Sequence, residues 1–142
     1  MTLKEYLSQA TILEKSIDVK LIQLEKLEGY SNLVFNASKV YEKSARGEIA
    51  VAIIDKISSL QHEINTEIDR LVDTKSDILL FLGKIENKNL KTIMEYHYLC
   101  GMTWEEIADR MYISLRQLYN WSKKAHDILA KKFENKNIQQ IC

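Results

Sequence analysis

The absence of proline is the feature of this 142-residue sequence that most constrains its fold. Proline lacks a backbone N–H and breaks helices, and glycine, which weakens them, occurs only four times. The remainder is rich in Leu, Ile, Lys and Glu, a composition common in helical proteins. Because little interrupts the backbone hydrogen-bond ladder, the sequence predicts an all-α protein.

Charge and cysteine content exclude several classes of protein. Twenty Lys and Arg residues balance twenty Asp and Glu residues, so no net charge draws the whole chain to a polyanion. Residues 84–142 nevertheless hold ten basic and seven acidic side chains, a local excess of three positive charges. Two cysteines are too few for a disulfide framework, and no run of 18 apolar residues occurs. We therefore expect a cytoplasmic protein without a secretion signal or a membrane span.

Two long stretches carry apolar residues at steps of three and four, the spacing that gathers side chains on one helical face. They cover residues 2–28 and about 48–85. Gly29 is predicted to end the first helix, and residues 30–47, which lack a sustained period, are predicted to form a loop. Residues 1–86 are therefore predicted to form a long antiparallel helical hairpin that resembles a coiled coil.

The second of these helices is longer than the first, so pairing the two leaves part of its apolar stripe uncovered. Either the C-terminal region or another copy of the chain can cover the remainder, and the pattern alone leaves both open. We expect a homodimer or a higher homo-oligomer formed through residues 1–86.

Residues 87–142 are predicted to form a second domain of three shorter helices. Apolar residues from Leu90 to Leu99 indicate the first, and Gly101 suits a left-handed residue after its end. The second runs to about Met111, and the third covers residues 115–132.

Polar residues at the helix starts are spaced as caps. Thr2 precedes Glu5 by three residues, and Thr103 precedes Glu106 by the same distance, so each pair is predicted to form a capping box. Ser114 is predicted to cap the third short helix. Two capped helices joined by a short corner are typical of a helix-turn-helix.

The helix over residues 115–132 has two contrasting faces at about 100° per residue. Leu118, Ser122, Ala125, Ile128 and Leu129 are predicted to point inward. The opposite face is rich in Arg, Lys, Gln and Asn, which can bond base edges and phosphates when such a helix enters the major groove of double-stranded DNA. The predicted DNA-binding residues are Ser114, Leu115, Arg116, Gln117, Tyr119, Asn120, Lys123, Lys124 and Lys131.

Several motifs together resemble a known family. Residues 99–111, L-x-G-x-T-W-E-E-I-A-x-x-M, and 113–119, I-S-x-x-Q-L-Y, resemble the helix-turn-helix of region 4 in sigma-70-type factors. With K-E-Y-L at 4–7 and E-I-N-x-E-I-D-R-L at 63–71, the whole chain is similar to the phage- and prophage-encoded, sigma-70-like transcriptional regulators of Gram-positive bacteria, of the late-gene type.

This resemblance implies sequence-specific DNA binding and control of the transcription of phage genes. RNA polymerase is a further candidate partner. It implies that residues 105–108 are scaffold and that residues 114–124 read the DNA. Tyr119 and Trp121 depart from the small or basic residues usual in region 4. No counterpart of the other promoter-recognising regions of a sigma factor is evident, which favours an accessory or activator role.

Residues for catalysis or metal binding are too scattered to predict an enzyme. His62, His97 and His126 fall in three different predicted helices, and His97 with Cys100, predicted to be buried, supplies only two metal ligands. We expect no enzymatic activity, metal or cofactor. Two other functions fit the same elements: a small terminase-like protein that packages phage DNA, and a coiled-coil adaptor that binds RNA polymerase.

Overall fold

A computed structural model describes the backbone of residues 1–38 and 45–141 and the side chains of residues 1–34 and 47–135. Within these ranges the chain forms helices and no strand, so the all-α prediction is confirmed. In the described part of the chain, each helix is too short or too polar to span a bilayer. The helices are α1 (Leu3–Ser38), α2 (Ala45–Leu82), α3 (Lys88–Tyr98), α4 (Trp104–Met111) and α5 (Leu115–Ile141).

The predicted loop over residues 30–47 is wrong wherever its backbone is described. Helix α1 continues through Gly29 to Ser38, and α2 already begins at Ala45, whereas residues 39–44 lie outside the described residues. One glycine lowers helix stability by only about 1 kcal/mol relative to alanine, so a long helix can continue through it. Helix α5 also extends beyond the predicted end at residue 132, to Ile141.

The chain divides into two compact units, which do not follow the predicted boundary after residue 86. Unit 1 comprises residues 1–12 and 72–142, and unit 2 comprises residues 13–71. In unit 1 the beginning of α1, the end of α2 and α5 share a core. The ring of Tyr6 lies 5.4 Å from that of Phe81 and 5.6 Å from that of Phe133, measured between centroids. Helical periodicity alone does not show which distant helix ends share a core.

Helices α3, α4 and α5 pack against one another within unit 1. Most of their buried side chains are apolar, and Ser122 is buried among them. Three of the largest, Ile93, Met94 and Ile107, are fully buried. At the start of α1, Thr2 and Glu5 form the predicted capping box. Glu5 N–H donates to Thr2 Oγ1 and Thr2 N–H donates to the Glu5 carboxylate, each over 3.2 Å.

In unit 2, the helices α1 and α2 contact each other along positions spaced alternately by three and four residues. Ser16 Oγ donates to the Glu67 carboxylate over 3.1 Å, and Lys20 Nζ lies 3.7 Å from Glu63 Oε2. Later positions on α1 therefore contact earlier positions on α2, as in two antiparallel helices. The residues that line this contact, which we call the α1–α2 seam, are buried or half-buried: Leu13, Ile17, Lys20, Leu24 and Leu27 on α1, and Ile53, Ile57, Leu60, Ile64 and Glu67 on α2.

Candidate nucleic-acid interface

The start of α4 is fixed by a turn and a side-chain cap. Gly101 adopts the predicted left-handed conformation, with φ of 69°, and lets the chain reverse after α3. Thr103 then has an extended backbone, and its Oγ1 accepts a hydrogen bond from Glu106 N–H over 3.2 Å. The predicted N-cap of α4 is therefore confirmed.

A three-residue corner joins α4 to α5. Tyr112 ends α4 with a left-handed backbone, φ 58° and ψ 40°, and its N–H donates to the carbonyl oxygens of Ala108 and Asp109. Ser114 then caps α5, because its Oγ accepts a hydrogen bond from Gln117 N–H over 3.1 Å. The direction of α5 is thus set by local hydrogen bonds on both sides of the corner.

One face of α5 lies in the core of unit 1. Leu118, Ala125 and Leu129 have no exposed surface, and Ser122 is buried beside them. Ile128, predicted to point inward, is half-buried. This burial fixes the rotation of α5 about its axis and therefore determines which side chains can reach a partner.

The predicted DNA-binding residues lie on the outer face of α5 and at its start. Leu115 is half-buried, and the others, including Arg116, Gln117 and Asn120, are exposed. Four of them are basic, and Asp127 is an acidic neighbour on the same face. The helix therefore presents amide, phenol and guanidinium groups near its N-terminus and ammonium groups farther along.

A crevice beside this face was not predicted from the sequence. Asn87, Asn89 and Leu90, at the start of α3, line it together with Trp121 and Lys124 of α5, and its volume is about 100 Å³. Asn87 is the N-cap of α3, since its Oδ1 accepts hydrogen bonds from Asn89 and Leu90 N–H groups over 2.9 and 3.2 Å. The polar run E-N-K-N could have indicated this cap, but not its proximity to Lys124.

A hydrogen-bond network joins α3 to α5 behind the outer face. Tyr98 Oη forms a hydrogen bond of 2.6 Å with His126 Nε2, and His126 Nδ1 donates to the Ser122 carbonyl oxygen over 2.6 Å. Because a carbonyl oxygen can only accept, Nδ1 carries a proton in this arrangement. Burial raises the pKa of Tyr98 to about 12, so the phenol keeps its donor proton at neutral pH.

His97, the second histidine of unit 1, packs against the start of α4. The ring of His97 stacks on that of Trp104, with centroids 3.9 Å apart and planes at 16°. Its Nδ1 donates to the Met102 carbonyl oxygen over 2.8 Å. Burial lowers the pKa of His97 below its ordinary value of 6.5 and the neighbouring His126 lowers it further, whereas the hydrogen bond to Met102 opposes both effects. His97 therefore joins α3 to the start of α4, whereas His126 joins α5 to α3.

The prediction for Cys100 is wrong, and the described residues form no metal cluster. Cys100 was predicted to be buried but is exposed, because it lies in the turn after α3. Among the described side chains, no three His, Cys, Asp or Glu residues come together in an arrangement that could hold a metal ion.

Comparison of the chain with protein-family models, with curated proteins and with solved structures found no match.

Proposed function

We propose that this protein is a sequence-specific DNA-binding transcriptional regulator of phage or prophage genes, with α4 and α5 acting as a helix-turn-helix. One observation carries the proposal: α5 buries one face in the core and, directly after a capped corner, exposes Arg116, Gln117, Tyr119 and Asn120 on the other. A helix held in this way can enter the major groove without rearrangement of the core.

The first two turns of α5 suit base recognition. Arg can form two hydrogen bonds to guanine, and Gln or Asn can form two to adenine, in the major groove. Arg116, Gln117 and Asn120 are exposed and lie near the end of the helix that enters the groove most deeply. Leu115 and Tyr119 are proposed to make apolar and hydroxyl contacts beside them.

Phosphate contacts are proposed for Ser114 at the N-terminus of α5 and for Lys123, Lys124 and Lys131 farther along the helix. Because the whole chain has no net charge, attraction to DNA must come from this local basic face. Each phosphate contact releases a counterion, so the affinity should fall as the salt concentration rises.

The decisive experiment is selection of bound sequences from a random pool of double-stranded DNA with the purified protein. For the selected site, we expect the Arg116→Ala/Gln117→Ala variant to lose roughly 10- to 100-fold in affinity and to relax specificity at the contacted base pairs. Lys131→Ala should weaken binding to all sequences alike and lower the salt slope by about one. Arg70→Ala, which removes an exposed arginine from α2, outside the proposed helix-turn-helix, is the matched control and should bind as the parent does.

Three results would contradict the proposal. The first is unchanged affinity of the Arg116→Ala/Gln117→Ala variant, and the second is an affinity that does not depend on salt. The third is a ring of eight or more subunits by light scattering, which would instead indicate DNA packaging. Binding to RNA polymerase without any binding to DNA would indicate an adaptor.

A further inference from the structure

Helix α2 carries a second line of residues with heptad spacing, separate from the α1–α2 seam. We call it the α2 outer stripe, and it consists of Val51, Ile54, Ser58, Gln61, Asn65 and Ile68, at successive steps of three and four residues. All six side chains are exposed, and the apolar Val51 and Ile54 are 58% and 55% exposed. An alternation of three and four residues places these side chains along one side of the helix, as in a coiled coil.

Unit 2 buries little apolar surface by itself. Among its described side chains, Ile17 and Ile64 are the hydrophobic residues that are buried, whereas Val19, Ile22 and Ile54 are about half exposed. Two paired helices with so small a core are marginal in isolation, because burial of apolar surface is the main stabilising contribution. A further helix packed along α2 would supply the missing burial.

The residues of the α2 outer stripe match a second copy of themselves. In a parallel pair in register, each position faces the same position of the partner, so Val51, Ile54 and Ile68 each face an identical apolar side chain. Likewise, Ser58, Gln61 and Asn65 each face an identical polar side chain. If Val51 is assigned to heptad position a, Asn65 also occupies an a position, where a single Asn favours a parallel dimer with one register.

Antiparallel pairing matches the same stripe poorly. In that arrangement, a positions face d positions of the partner. The register that brings Val51 to Ile68 also brings Ile54 to Asn65, and a shift by one heptad brings Ser58 to Ile68. Burial of an amide or hydroxyl against an aliphatic side chain without a hydrogen-bond partner is unfavourable.

We propose that α2 pairs with the α2 helix of a second copy of this chain, parallel and in register, through the α2 outer stripe. This inference stands on unit 2 alone and does not depend on DNA binding. If the proposed function also holds, the two-fold relation between the copies predicts two DNA half-sites related by the same symmetry.

Cysteine cross-linking tests the direction and register. In a Cys100→Ser/Cys142→Ser background, Ser58→Cys should form an intermolecular disulfide readily, because identical positions then come within the range of about 4.4–6.8 Å between Cα atoms that a disulfide requires. Ser59→Cys is the matched control: it is also an exposed serine of α2, but it lies off the stripe and should not cross-link. Equal cross-linking of the two variants, or none in either, would overturn the proposal.

Light scattering over a range of protein concentrations gives an independent test. The parent should be a dimer, and Ile54→Lys should weaken the dimer by roughly 100-fold or more, because two apolar side chains are lost from one interface and two like charges are brought together. Ile49→Lys is the control, since Ile49 is an isoleucine of α2 with a similar exposure of 51% that lies off the stripe. Circular dichroism would verify that both variants keep their helices.

A parent that stays monomeric at all concentrations, or equal effects of the two lysine substitutions, would overturn the inference. A dimeric parent that binds no DNA would refute the proposed function and leave this inference standing. A monomeric parent that selects a single half-site would overturn this inference and leave the proposed function standing.

Discussion

At the scale of single residues, Tyr112 has an unfavourable backbone conformation, and its exposed side chain does not offset the cost by packing. It is the non-glycine residue with positive φ among the described residues, and the residue is 94% exposed. A left-handed conformation brings Cβ too close to the backbone and costs about 1–2 kcal/mol in a residue other than glycine. The hydrogen bonds that end α4, and not packing of the ring, therefore hold this conformation.

Replacing Tyr112 should for this reason stabilise the protein. We expect Tyr112→Gly to raise the free energy of unfolding by up to about 1 kcal/mol, because relief of the strain exceeds the entropy that glycine adds to the unfolded chain. Urea denaturation would measure the change. Tyr119→Gly, which alters an exposed tyrosine within regular helix, should lower stability. A loss of stability in both variants would contradict the strain argument.

His97 should make the stability of the protein sensitive to mild acid. Its pKa is lowered in the folded state, so the unfolded chain binds the proton more readily. The stabilising contribution is therefore present above pH 6.5 and is lost as pH falls through the lower pKa of the folded state. The unfolding free energy, measured by urea denaturation between about pH 5.5 and 7.5, should decrease toward the acid end.

A matched pair of variants would assign this pH dependence. His97→Phe keeps an aromatic ring against Trp104 but cannot titrate, so its stability should vary less with pH than that of the parent. His62→Phe alters an exposed histidine of α2 and should leave the pH dependence unchanged. If instead His62→Phe flattened the profile and His97→Phe did not, the assignment to His97 would be wrong.

At the scale of the helices, the α1–α2 seam contains a charged pair among apolar residues. Lys20 Nζ lies 2.5 Å from Glu67 Oε1, and Ser16 Oγ donates to the same carboxylate. The hydrogen bond from Lys20 lowers the pKa of Glu67, and the same bond raises that of Lys20. Polar residues at such positions fix the register of paired helices, because any slip would face each charge with an aliphatic side chain.

Removal of one member of this pair should destabilise the helices more than removal of both. Lys20→Leu and Glu67→Leu each leave a partly buried charge without its partner, whereas the double variant restores an apolar seam. Thermal unfolding followed by circular dichroism would compare the three variants. The same cycle for Lys91 and Glu95, an i,i+4 pair 3.8 Å apart whose side chains are more exposed than those of Lys20 and Glu67, should show weaker coupling. Additive effects at Lys20 and Glu67 would contradict a cooperative pair.

At the scale of the whole molecule, the two units differ in how much side-chain surface they bury. The fully buried side chains that the structure describes all lie in unit 1, among them Leu7, Ile93 and Leu118. In unit 2, Ile17 and Ile64 are the buried hydrophobic residues described, and each keeps a small exposed fraction. Regions with few buried apolar contacts open more readily, because less free energy is lost when they unfold locally.

Amide hydrogen exchange should therefore separate the two units. We expect the amides of α3 and of residues 115–130 in α5 to exchange more slowly than those of residues 16–34 and 50–68 at low protein concentration. Mass spectrometry of peptides would measure the rates. If a second copy covers α2, exchange over residues 50–68 should slow as the protein concentration rises, whereas exchange in α3 should not change. Uniform protection along the chain would contradict the difference in stability.

Parts of the fold and candidate site were predictable because they depend on neighbouring residues. The caps formed by Thr2, Thr103 and Ser114 involve hydrogen bonds to groups three residues away, and the inner face of α5 follows from the helical period. The predicted end of α1 at Gly29 is wrong, because one glycine weakens a helix without ending it. In a long helix, the other residues outweigh that loss of stability.

By itself, the sequence determined the helical class, the main caps and which face of α5 is exposed, since these depend on interactions within one or two turns. Only the tertiary structure decided that Tyr6, Phe81 and Phe133 share a core and that Tyr98 bonds to His126 across 28 residues. Such contacts depend on the path of the whole chain, because packing selects partners by proximity in space and not by separation in sequence.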